Sequence, residues 1–355
     1  MLIIRSVLFI RSVLFLIFSV GLLTSGHSFA ATKLVLQTSV PAPSASFLGA
    51  YVAQNLGFFR EEGLDVEIRP GSGGPMAIQM AASGDADIAF ATYEPYVLGY
   101  AKGMRGKFIF RVYDQLVYYI GVPADSAIKS IKDLENKKIG VVSMGTVTYI
   151  YARSELRSSG IDPKPEMFLP VGFGDTAASA LRSGQVQALS LWDANFAALE
   201  RAGLALRYFH HPKIGDVGNG GYFVSDKVLN EKKDALLAFL RAVVRAHVFI
   251  RANPEAALDV YWKVNPAGKI GSNLEEQRKN GLSELKSLTY YFDNTPADKM
   301  GLFDLNGIAR FLTVMKEEDL LTVDMSVSDL ATNDLAAIAN KIDVKSVLEK
   351  AKNYK

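Results

Sequence analysis

The 355-residue chain contains no cysteine. That excludes disulfides, thiol nucleophiles, cysteine-ligated zinc, iron–sulfur clusters and a lipidated cysteine at an export cleavage site. Histidine is almost as scarce. His27 stands in the N-terminal segment, His210 and His211 precede Pro212 in a loop, and His247 sits in a long helical stretch. None has H-x-x-x-H or H-E-x-x-H spacing, so no metal centre is expected. There is no G-x-x-x-x-G-K-[ST] run; "GSGG" from Gly71 is a lone Gly-rich turn and a weak argument for nucleotide. "GDVGNGG" has no nucleophile-elbow arrangement, and no cofactor is expected. An excess of one charge is also missing. Without Arg5 and Arg11, basic and acidic side chains balance at 37 each, which leaves no electrostatic case for nucleic acid or a membrane surface.

A long hydrophobic run is absent too. "SVLFLIFSVGLL", Ser12 to Leu23, is shorter than the ~20 residues a membrane span needs. With Arg5 and Arg11 before it, and Ser28 and Ala30 at the minus-three and minus-one positions, residues 1–30 read as a cleaved secretory signal. The expected location is periplasmic, without lipidation.

What is present is a repeated alternation of strand and helix. "KLVLQTS" is β-rich, "FLGAYVAQNLGFF" has helical spacing, "EEGLDVEIRP" turns into an alternating strand, and a helix ending at "SGD" leads to the buried-type strand "ADIAFA". The order recurs in "KKIGVVSMG", "TYIYARSELRSSG", "MFLPVGF", "DTAASALRSG" and "QALSLW". Such spacing means βαβ units and a largely parallel sheet in each of two lobes. The helix "EKKDALLAFLRAVVRAHVFIRANPE" is amphipathic, with Arg241 and Arg245 on one face. The expected domains are 31–115 for the first part of lobe 1, 116–219 for lobe 2, and 220–355 for the return to lobe 1. Crossings fall near Asp114 and near Gly218, where glycine and proline can absorb hinge rotations.

Two passages echo each other: "SGDADIAFATYEPYV" from Ser83 and "SGQVQALSLWDANFA" from Ser183. Each runs through a small apolar strand to an aromatic–acid pair, Tyr93-Glu94 and Trp192-Asp193.

The segments "NLGFFREEGLDVEI", "MAASGDADIAFA", "SAIKSIKDLENKKIGVV", "ELRSSGID", "ALRSGQVQALSLWDANFAALERAG" and "NPEAALDVYW" together resemble the solute-binding proteins of bacterial ABC importers. The resemblance is to the sulfonate, taurine, nitrate and thiamine-precursor branch. Gln187 stands where relatives usually carry Asp. The resemblance implies a periplasmic binding protein type II fold that closes on a small solute and docks on a membrane permease with its ATPase, as a monomer and without catalysis. An enzymatic relative with a cysteine-rich iron motif is excluded by the missing cysteines.

In such open sheets a ligand sits beyond the carboxyl ends of the strands, near helix N-termini. The loops expected there supply Ser44, Ser46, Phe47, Gly73, Gly74, Thr92, Tyr93 and Glu94 from lobe 1. Lobe 2 supplies Gly145, Thr146, Tyr149, Trp192 and Asp193. Ser44, Ser46 and Thr146 serve equally well as helix caps. Carboxylates facing a cleft need N–H partners, and aromatic walls suit a flat ring. A nitrogen-bearing aromatic, such as a thiamine-precursor aminopyrimidine, is expected, with taurine or an alkanesulfonate as the alternative. A periplasmic ligand sensor serving a receptor is the alternative of another class.

Overall fold

The computed structural model describes residues 30–288 and 295–354, so the signal segment lies outside the described residues apart from Ala30. Among the described residues, ten strands form two five-stranded sheets. The first sheet has the order β2-β1-β3-β10-β4, from β1 (Thr32–Gln37), β2 (Leu64–Arg69), β3 (Ile88–Thr92), β4 (Gly106–Arg111) and β10 (Gly220–Ser225). The second has the order β7-β6-β8-β5-β9, from β5 (Tyr118–Pro123), β6 (Ile139–Val141), β7 (Phe168–Pro170), β8 (Ala188–Trp192) and β9 (Leu206–Phe209). In each, four strands point one way. The fifth, β10 or β5, is inserted antiparallel beside the third. Each inserted strand is the first one laid down after the chain changes sheet, at 112–117 and again at 210–219. The two connecting segments lie side by side. Val112 N donates to Gly220 O at 2.9 Å, and a Cβ at Gly218 would lie 2.2 Å from Tyr113 O.

Eight helices matter to the argument: α1 (Leu48–Asn55), α2 (Gly74–Ser83), α3 (Glu94–Tyr100), α4 (Val147–Ser158), α5 (Asp175–Arg182), α6 (Asp193–Arg201), α7 (Lys233–Ala252) and α8 (Leu305–Glu317). The period of two along each strand decides what they cover. In β3, Ile88 and Phe90 face the core beneath α1 and α7, while Ala89 and Ala91 face the core holding α2, α3 and α8. The arginine pair of α7 grips the turn before β2: Arg241 meets Glu62 at 2.7 Å, and Arg245 pairs with Glu61.

The echoing passages occupy equivalent places in the two sheets. Helices α2 and α5 both stop at a left-handed glycine, Gly84 at φ 89° and Gly184 at φ 75°, a conformation a side chain would oppose. The strands that follow, β3 and β8, are each the third in their sheet's order. Gln187 takes over the role of its counterpart Asp87. Asp87 N donates to Val35 O at 3.0 Å while its carboxylate accepts from Val35 N at 2.9 Å. Gln187 N donates to Lys138 O at 2.9 Å and its amide oxygen accepts from Lys138 N at 3.0 Å. Either side-chain oxygen closes the same ring. Asp87 also pairs with Lys232 at 2.6 Å, which Gln187 has no charge to do.

One buried acid serves no evident partner. Glu155 of α4 is 1% exposed and its Oε1 has no hydrogen-bond partner. Burial therefore pushes its carboxyl well above the ordinary range. A raised folded-state value means stability is fullest below the unfolded value and is lost as pH rises through the folded one. Glu155→Gln is expected to raise stability at pH 8 by about 1–3 kcal/mol and to flatten its decline between pH 5 and 8. Urea unfolding across that range measures both; an unchanged slope would refute the assignment.

Candidate functional site

Glu94 opens α3 immediately after β3, so the end of a central strand delivers its carboxyl to the junction of the lobes. It is 1% exposed. Its Oε1 accepts from the Tyr151 hydroxyl of α4 and, at 3.2 Å, from Asn219 Nδ2. Its Oε2 is buried without a hydrogen-bond partner, as is Asn219 Oδ1. Burial raises the Glu94 carboxyl, against the opposing pull of Thr92, Tyr151 and Asn219. An acceptor held in place with a vacant lone pair is a group prepared for a donor.

Tyr118, the first residue of β5, ties this corner to the second lobe. Its ring stacks on Tyr151 at 5.3 Å with planes 17° apart. Burial raises its hydroxyl, and the carboxylates of Glu94 and Asp193 both add to the rise. Trp192 is the register partner of Tyr118 across the β5–β8 pair, and Asp193 N donates to Val117 O at 3.0 Å. Asp193 opens α6, with Oδ1 2.6 Å from Ala194 N. Part of its surface stays accessible, yet its surroundings are dense enough that burial pushes its carboxyl up to about 7; Asp114 adds to the rise and the Ala194 N–H opposes it. Beside it, the half-buried Trp192 ring lies 5.8 Å from Phe173, which is 58% exposed between two left-handed glycines, Gly172 and Gly174.

The expected residues divide sharply. Thr92 ends β3 next to Glu94, Glu94 is held by Tyr151 on which Tyr118 stacks, and Trp192 and Asp193 lie across the strand pair from Tyr118 and Val117. Tyr93 does not join them: it is fully buried against Phe108 at 4.8 Å and Phe311 at 5.3 Å. Counting from Ser-Gly explains why. Thr92 and Trp192 are equivalent strand ends, so Tyr93 matches Asp193, and the aromatic–acid echo is one position out of register. Phe47 is core, edge-on to Phe90 at 4.7 Å. Tyr149 packs edge-on against Phe168 at 4.9 Å; Tyr151, on the other side of α4, makes the contact to Glu94. Ser44 caps the turn Ala45–Phe47 by accepting from Ser46 N at 3.3 Å. Ser46 is half-buried beside it. The Thr146 hydroxyl donates to Ser143 O at 2.7 Å, and Gly145 is exposed. Gly73 N is spent on Ser39 O at 2.9 Å, and Gly74 lies against Pro95, so the Gly-rich turn is braced rather than open as a cradle.

Sequence reasoning missed Tyr118, Tyr151 and Asn219. Asn219 lies inside the Gly-rich crossing already singled out, and its polar side chain amid "GNGG" was the available signal. Tyr118 and Tyr151 had none.

The histidine–serine contacts at His211, to Ser154 and at 3.4 Å to Ser158, are not arranged for nucleophilic catalysis. His211 Nε2 lies 2.9 Å from Ser154 Oγ, while its Nδ1 accepts from Lys213 N at 3.2 Å. Nε2 therefore carries the proton and donates to Ser154, the reverse of a general base. Burial pushes this imidazole down to about 4 and that of His247 to about 3. An open groove of about 850 Å³ does lie nearby, lined by His210, Lys213, Asp216, Arg310 and Glu317. Its charges are spent on one another, Lys213 on Glu317 at 2.6 Å and Arg310 on Asp216 at 2.8 Å. The unsatisfied acceptors at Glu94 and Asn219 are the stronger sign of a ligand position.

The family described as NMT1/THI5 like matches residues 44–257. The riboflavin-binding protein RibY of Chloroflexus aurantiacus is 21% identical over 296 residues, covering 82% of this chain and 83% of its own. The formylaminopyrimidine-binding protein of Halalkalibacterium halodurans is 24% identical over 222 residues, covering 61% and 66%. Among solved structures, the alkanesulfonate-binding protein SsuA from Xanthomonas axonopodis pv. citri bound to MOPS superposes with a TM-score of 0.62 at 16% identity, covering 85% of this chain and 98% of that one. At that identity the likeness speaks for the fold, that of type II periplasmic binding proteins.

Proposed function

Because the chain belongs to the NMT1/THI5-like family, we propose that it is an extracytoplasmic binding protein whose lobes close on a small nitrogen-bearing organic solute. It then delivers that solute to the permease of an ABC importer. The observation that carries the solute class is the buried Glu94 carboxyl with its Oε2 still open, joined by a second strand-end acid, Asp193, whose backbone N–H bonds Val117 O next to Tyr118. A buried carboxylate is stable only with donors, and an amine or ring amino group supplies them. The rings of Tyr118, Tyr151, Trp192 and Phe173 suit a flat aromatic body. Formylaminopyrimidine and riboflavin, which the relatives' names specify, are both nitrogen-bearing rings.

Taurine or an alkanesulfonate is the second reading. It draws on the twelve-residue helix α4, whose N-terminal N–H groups have no side-chain cap from Thr146 and would favour a sulfonate. The protein works without catalysis, as the proton placement at Ser154–His211 supports. It acts as a periplasmic monomer after cleavage at Ala30, with lobes 31–115 plus 220–355 and 116–219 turning about the two adjacent crossings. A ligand sensor serving a receptor would use the same cleft; a neighbouring sensor-kinase gene in place of permease and ATPase genes would favour it.

Isothermal calorimetry against formylaminopyrimidine, riboflavin, taurine and an alkanesulfonate tests the reading. One-site saturation by a nitrogen-bearing ring is expected. Turnover of any of these compounds would overturn it, and binding of the alkanesulfonate alone would overturn the solute class.

A further inference from the structure

Away from the carboxyl pair, and apart from the exposed Lys213–Glu317 and Arg310–Asp216 pairs, the lobes are joined by a buried polar cluster that touches no part of the proposed solute position. Helix α8 belongs to lobe 1: its Ile308, Phe311, Leu312 and Met315 are buried with Tyr93, Phe108 and Phe223. Helix α4 belongs to lobe 2, where Ala152 and Leu156 pack with Ile120, Val122 and Ile139. Glu318 is the C-cap of helix α8, and Asp319 turns the chain away at φ 58°. The last carbonyls of such a helix lack internal partners and carry the negative end of its dipole. Lobe 2 supplies the missing donors. Arg153 Nε meets Glu318 Oε2 at 2.8 Å and its Nη2 meets Glu318 O at 3.0 Å. Arg157 Nη1 meets Glu318 Oε1 at 2.9 Å and Glu317 O at 3.0 Å. The Glu318 side chain is 2% exposed, so its charge has been taken out of water and depends on these two arginines.

We propose that Glu318, Arg153 and Arg157 form an interlobe lock that sets solute affinity by holding the closed form, with no contact to the solute. The proposal rests on the hinged two-lobe reading above. Separating the lobes exchanges these four charge-assisted hydrogen bonds for contacts with water, so they favour only the form in which the lobes are together. Contacts made in one of two states shift the population between them by their full difference. Arg153 and Arg157 stand one turn apart on α4, and Tyr151 of the same helix holds Glu94. The helix is thus fastened to lobe 1 at two separate points.

The absence of cysteine makes the test clean. Nitroxide labels on Ser72→Cys and Asp175→Cys, both exposed and on different lobes, report the interlobe distance by pulsed electron resonance. In the solute-free protein, Glu318→Gln is expected to raise the long-distance population about tenfold over the labelled parent. Arg157→Gln, at a side chain 44% exposed, should produce a smaller shift in the same direction. If circular dichroism shows Glu318→Gln unfolded, Arg157→Gln decides. Two populations whose ratio neither folded variant changes would overturn the lock and leave the hinged reading standing. A single unchanging distance in parent and variants, also on titration with formylaminopyrimidine, riboflavin or taurine, would overturn both.

Discussion

Glu94→Gln is expected to weaken capture of an amino-bearing aromatic solute at least about 100-fold while leaving the solute-free fold as stable as the parent at neutral pH. The two halves of that result have different causes. With its carboxyl raised by burial, Glu94 in the solute-free protein is held toward its protonated form, and glutamine is the neutral mimic of that form. It can still accept at one oxygen from Tyr151 and Asn219, so the existing hydrogen bonds survive. What it lacks is the negative charge available to a cationic or strongly polarised donor at Oε2. Truncating one side of a desolvated charge-assisted contact costs about 2–5 kcal/mol, and about 2.7 kcal/mol is 100-fold. Calorimetric titration beside thermal melting separates the two effects. An unchanged dissociation constant would remove Glu94 from recognition, and a collapsed melting temperature would make its role structural.

Affinity for a permanently cationic solute should fall as pH drops below about 7, by up to tenfold per pH unit, and Asp193→Asn should abolish that slope. Burial and the charge of Asp114 lift the Asp193 carboxyl to about 7, so below that pH the acid is mostly neutral. A cation binds the ionised form, which requires a proton to leave; the cost of losing it grows by about 1.4 kcal/mol per pH unit. For the solute-free fold the sign is opposite. The raised group contributes stability that is full below about 4 and is lost as pH rises through about 7. Calorimetry in buffers of differing ionisation enthalpy counts the released proton directly. Affinity that stays constant from pH 5 to 8 in the parent would show that Asp193 does not face the solute.

Local order determined much of this molecule. The alternation of strand and helix, the Ser-Gly stops at Gly84 and Gly184 and the arginine face of α7 all depend on neighbours within a few residues, and all are legible in the chain. Gln187 shows the same principle: the backbone needs an oxygen there, and amide or carboxylate will serve. The carboxyls of Glu94 and Asp193 were legible as strand-end acids for the same reason.

Which groups meet those acids is a property of the tertiary structure alone. Tyr151 lies 57 positions from Glu94 and Asn219 lies 125 away, and no periodicity links them. Their meeting depends on how one sheet is set against the other. The same cause moved Tyr93 into the core: a one-residue step at the end of a strand reverses the side a residue faces, and only packing against Phe108 and Phe311 decided which side that was. It also made a pair of surface-like arginines on α4 the caps of a helix in the other lobe. Sequence places each group at a strand end or on a helix face; the lobe arrangement decides which groups are desolvated together, and with them the charge a solute would meet.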